Sequence, residues 1–61
     1  MNATLVFLRR TQAEEFAKAW SRQTLKGHVI SSGEINVKVC VYGVTDAEKQ
    51  WISEYIQSAN N

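Results

Sequence analysis

One four-residue pattern occurs twice and divides the chain. Thr11-Gln12-Ala13-Glu14 and Thr45-Asp46-Ala47-Glu48 both fit a capping box. In that motif the Thr hydroxyl accepts from the N–H three residues on. The Glu carboxylate in turn accepts from the N–H of the Thr. An apolar stripe at helical spacing follows each box. Ala13, Phe16, Ala17 and Trp20 recur at i, i+3, i+4 and i+7, which predicts a helix running to about Arg22 or Thr24. Glu14 and Glu15 then lie near its positive end and Arg22 near its negative end. Ala47, Trp51, Ile52, Tyr55, Ile56 and Ala59 form the second stripe, with fraying expected from Ser58 onward.

With two helix starts placed, the remaining stretches read as strands. Ala3 to Arg9 is short and apolar on both alternating faces, which suits a strand whose two sides are both at least partly covered. Between the helices, Leu25 to Ile30 and Glu34 to Tyr42 flank Ser31-Ser32-Gly33. A three-residue loop with Gly33 left-handed makes a hairpin that sets Val29 opposite Ile35, Gly27 opposite Val37 and Leu25 opposite Val39. That register gathers Leu25, Val29, Ile35, Val37, Val39 and Val41 on one face. His28, Ile30, Asn36, Lys38, Cys40 and Tyr42 take the other. A slip by one residue mixes the two sets.

The order β-α-β-β-α predicts a single α+β domain over residues 1–61. A right-handed strand–helix–strand connection followed by the hairpin gives a three-stranded sheet of order 2-3-1. Both helices cover its valine face, with Phe16, Trp20, Trp51, Ile52 and Ile56 supplying the other half of the core. This layout is similar to a ferredoxin-like fold lacking its fourth strand. In element order it also resembles small bacterial signalling modules and the cytosolic domain that precedes some rhomboid proteases. No motif is shared with them, so no residue role is carried over.

Composition narrows the function classes. A 61-residue domain buries only roughly 60% of the surface its unfolded chain exposes, so its stability is modest unless something staples it. Cys40 is the only cysteine and His28 the only histidine. Neither an internal disulfide nor a four-ligand zinc site follows from them, and no cofactor is expected. The net charge of +1 falls short of a dedicated nucleic-acid binder. No apolar run approaches the ~20 residues of a membrane span. Near Met1 the charges come after the apolar stretch, the reverse of a signal peptide, and the expected location is cytoplasmic.

Candidate chemistry is sparse. His28 as a general base lacks a positioned partner. Cys40 as a nucleophile has only Lys38 as a neighbouring cation. Arg9 and Arg10 precede a helix start, where free amides and two cations can hold an anion. They equally form a solvated strand end. Without a catalytic constellation the chain is expected not to be an enzyme. It is read instead as a protein-interaction or regulatory module, binding a partner protein or itself as a homodimer. The contact surfaces are the free edge of the first strand and the open sheet face. Phe7, Arg9, His28, Ile30, Lys38, Cys40 and Tyr42 are the candidate interaction residues. The alternative is single-stranded nucleic acid stacked on that face, with Tyr42 and Phe7 as platforms and Lys38, Lys26, His28 and Arg9 as cations.

Overall fold

The protein's structure, a computed structural model, describes residues 1–59. In chain order the elements are β1 (Ala3–Phe7), α1 (Arg10–Thr24), β2 (His28–Ser32), β3 (Val37–Val41) and α2 (Asp46–Ala59). The sheet order is β1-β3-β2, with both pairings antiparallel. The expected class, element order and strand order are therefore present. Because α2 runs through Ala59, Ser58 is helical; Asn60 and Asn61 lie outside the described residues.

The register places Leu5 opposite Val39 and Ile30 opposite Val39 from the other side. Val37, Val39 and Val41 are buried in one cluster with Leu5, with Ala13, Phe16 and Trp20 of α1, and with Val44 and Ile52. Both helices thus cover the valine face. Five of the six aromatic residues interlock in this layer. Phe16 lies 5.7 Å from Phe7, 6.0 Å from Trp51 and 5.3 Å from Tyr55, ring centre to ring centre. Trp51 bridges Trp20 at 6.3 Å and Tyr55 at 5.6 Å. Such pairs contribute beyond simple area burial, which matters in a domain with so little interior. Ile56, expected in the core, stays 37% exposed.

The hairpin differs from the expected one. Ser31 and Ser32 belong to β2, and the turn is Gly33 to Asn36, closed by the Gly33 N–H donating to the Asn36 carbonyl at 2.8 Å. Gly33 does not adopt a left-handed conformation. Its lack of a side chain suits the close approach instead, since a Cβ there would come 3.2 Å from the Asn36 oxygen. Val29 therefore faces Cys40 rather than Ile35, and His28 faces Val41. This shift turns β2 over. Ile30 packs on the core side and Val29 is left 48% exposed on the outer side.

The cause lies just upstream. Leu25, expected at the start of β2, is instead the left-handed C-cap of α1 at φ 60°, its N–H donating to the Ser21 carbonyl at 2.9 Å. The Trp20 indole donates to the Gly27 carbonyl at 3.1 Å. Thr24 Oγ1 donates to the Trp20 carbonyl at 2.7 Å and accepts from the Lys26 N–H at 3.2 Å. Residues 25–27 are thus consumed in closing the helix and cannot pair as strand. Leu25 and Ile35, both assigned to the buried face by pattern, lie in solvent.

The two capping boxes also part company. At α2 both reciprocal bonds form: the Glu48 N–H to Thr45 Oγ1 at 3.2 Å, and the Thr45 N–H to Glu48 Oε1 at 3.0 Å. α1 begins earlier, with Arg9 as an N-cap that makes no side-chain capping bond. Thr11 therefore falls inside the first turn. Glu14 accepts from Arg10 Nε at 3.2 Å, an i,i+4 pair.

Glu48 has a second task. Lys26 Nζ lies 2.8 Å from its carboxylate and donates at 2.7 Å to the carbonyl of Gly43, a residue with φ 66°. Beside that turn the Val44 N–H donates to the Met1 carbonyl at 2.7 Å. The Lys26 bond, followed by the Thr45 N–H, holds the Glu48 carboxyl below its ordinary value of 4.5. The folded state thus binds this proton less readily than the unfolded state. Stability from the latch is complete above the ordinary carboxylate range and is lost as pH falls through the lower folded value. Urea melts run from neutral to acid pH should show this decline, and Glu48→Gln should flatten it. An equal acid decline in the variant would mean that other carboxylates carry the effect.

Candidate functional site

The two edges of the sheet are chemically unlike. β2 is polar at its end, where Ser31 and Ser32 are exposed and Arg10 Nη1 donates to Ser32 Oγ at 2.6 Å. β1 reads Ala-Thr-Leu-Val-Phe. Met1, Val6, Leu8 and Ile56, all exposed large apolar side chains, belong to it or to its flank. On one side β1 is paired with β3, and on the other, among the described residues, no strand lies beside it. Half of its amide and carbonyl groups therefore point away from the sheet. Natural edges usually carry charge, proline or a bulge against stray pairing; β1 carries none within Ala3–Phe7.

A cleft of about 460 Å³ runs along that margin, lined by Thr4 to Phe7 together with Gln12, Glu15, Tyr55 and Ile56. Successive strand residues point to opposite faces, so a cleft touching four in a row follows the backbone edge itself. α1 places Gln12 and Glu15 one turn apart on its wall, and α2 supplies Tyr55 and Ile56. Tyr55 meets Phe16 edge to face and Trp51 at a tilt, which fixes its ring. Burial, with the nearby Glu15 carboxylate, raises the Tyr55 hydroxyl above its ordinary value of 10.0. The hydroxyl stays protonated and able to donate at the cleft.

The outer sheet face is formed by Thr4 and Val6, Lys38 and Cys40, and Val29 and Ser31. Cys40 Sγ lies 3.6 Å from Thr4 Oγ1. Neither helix covers this face; Val6 is 57% exposed.

The candidate interaction residues are spread over three places. Lys38 and Cys40 lie on the outer face as expected, and the half-exposed Tyr42 follows β3. Ile30 and His28 do not. The shifted register turns both to the helix side, where Ile30 meets the core and His28 Nδ1 sits 3.2 Å from Ser21 Oγ. Phe7 also faces the helices, against Phe16, and reaches the cleft from that side. Arg9 is the exposed N-cap of α1. The cleft-lining residues Tyr55, Ile56, Gln12 and Glu15 are not among the expected interaction residues. Tyr55 and Ile56 share the apolar stripe of α2, and only the absence of a strand beyond β1 separates cleft wall from core.

Among the described residues no three His, Cys, Asp or Glu side chains gather as a metal site, and no helix is long and apolar enough to cross a membrane. Comparison with known proteins finds no matching family model, curated protein or solved structure.

Proposed function

We propose that the chain is a non-enzymatic protein-interaction or regulatory module whose contact surface is the β1 margin, continued onto the outer sheet face. The observation that carries this reading is the bare apolar edge of β1 beside a cleft walled by Tyr55 and Ile56. Pairing there satisfies outward backbone groups and buries apolar surface together. Both gains go to an associating chain. The outer face offers less to single-stranded nucleic acid, because Phe7 faces inward and Lys38 with Tyr42 remains as its cation and platform.

Complexes recovered with the tagged chain from its source cells, or formed by the chain alone at micromolar concentration, test this. The outward-pointing β1 amides should exchange freely in the isolated monomer and slow at least tenfold in the complex. Val6→Lys, at an exposed position, should leave stability within about 0.5 kcal/mol and abolish that protection. A complex whose β1 amides still exchange freely would place the interface elsewhere.

A further inference from the structure

Resting on the β1 margin as an interaction surface, we propose that the cleft is a strand-addition site for an extended segment of a partner protein. The segment would lie antiparallel to β1, bed alternate apolar side chains on Tyr55 and Ile56, and carry a lysine or arginine against Glu15. Three observations converge on that occupant.

The first is shape. The lining includes four consecutive strand residues, Thr4 to Phe7, a run of about 13 Å at strand rise. An occupant of that length that pairs with the outward amides and carbonyls must itself be extended, since a helix has already spent its backbone groups internally. Antiparallel pairing is slightly the more stable per residue. The second is polarity: the strand contributes Leu5, Val6 and Phe7 and the helices contribute Tyr55 and Ile56, so alternate side chains of the guest meet apolar walls.

The third is charge. Glu15 is the one formally charged residue of the lining. Among the described residues the ion pairs are Arg10 with Glu14 and Lys26 with Glu48, leaving Glu15 without one. Its field is felt at the Tyr55 hydroxyl. A cation on the guest would pair with this carboxylate. A second copy of this chain does so poorly. In a two-fold pair centred on Leu5 or Val6, the middle of the lined stretch, Arg9 falls opposite residue 1 or 3, outside the four residues that line the cleft, and each copy carries the same Glu15.

The test is selection of random displayed heptapeptides on the immobilised full chain, followed by amide exchange with the enriched peptides. Expected sequences alternate apolar residues and carry Lys or Arg. Saturating peptide should slow the outward-pointing β1 amides at least tenfold. N-methylation of alternate peptide amides should abolish binding. Glu15→Gln should weaken it about threefold, in keeping with a part-exposed ion pair, and Glu15→Lys should shift the selection towards acidic peptides. Enriched peptides without a cation preference, peptides bound as helices, or β1 exchange unchanged at saturation would each overturn the proposal. So would self-association that protects β1 while no peptide binds, an outcome that would leave the margin as an interface with a second copy as its occupant. Absence of any binder together with a strictly monomeric chain would remove the interface reading as well.

Discussion

Trp20→Ala should leave the chain largely unfolded at room temperature. A 61-residue domain has a total stability of about 3–9 kcal/mol at typical per-residue values. Trp20 is among the largest side chains with no solvent exposure, at the centre of the α1 face. Truncating such a residue costs about 3–5 kcal/mol. Its indole also donates to the Gly27 carbonyl, so the variant leaves a part-buried acceptor without its partner, roughly 1 kcal/mol more. That bond fixes residues 25–27 and hence the phase of β2, so the loss acts on the sheet as well as the core. Trp20→Phe keeps one aromatic ring but loses the donor and part of the buried volume, and should fall between the two. Far-ultraviolet circular dichroism with urea melts reads all three. A Trp20→Ala chain that melts within a few degrees of the parent would contradict the packing described here.

The second large effect separates two adjacent residues. Ile30→Thr should lower the melting temperature by about 5–10 °C, and Val29→Thr by less than about 3 °C, at the roughly 4–8 °C per kcal/mol of a domain this size. Both replacements keep a β-branched side chain, so intrinsic strand preference changes little. The difference arises from the face each residue occupies. Ile30 packs against the core opposite Val39, whereas Val29 stands on the outer face opposite Cys40. Placing a hydroxyl on the inner face removes apolar burial and adds an unsatisfied group. In the register expected from sequence the order of the two effects is reversed, so thermal melts of the pair decide between registers directly.

The cleft residues follow the same division between local and distant causes. Free-edge status for β1 was legible, because strand order follows from connection handedness and hairpin adjacency. The wall opposite was not. Ile56 keeps helical spacing with Ile52, and spacing alone assigns both to the core; yet Ile52 is buried and Ile56 lines the cleft. Glu15 carries no sequence signal beyond its place near a helix start. It becomes part of a site only where α1 passes beside the outer margin of β1.

Sequence decided the two amphipathic helices, the reciprocal cap at Thr45 and Glu48, the strand order, and the valines of β3 as the inner face. Tertiary structure alone decided the phase of β2, the earlier start of α1 and the residues that wall the β1 cleft. The physical reason is that strand phase has a period of two. Three residues spent on capping a helix, through Leu25 in the left-handed region and Gly27 held by Trp20, are enough to turn the next strand over. No local preference records that expenditure.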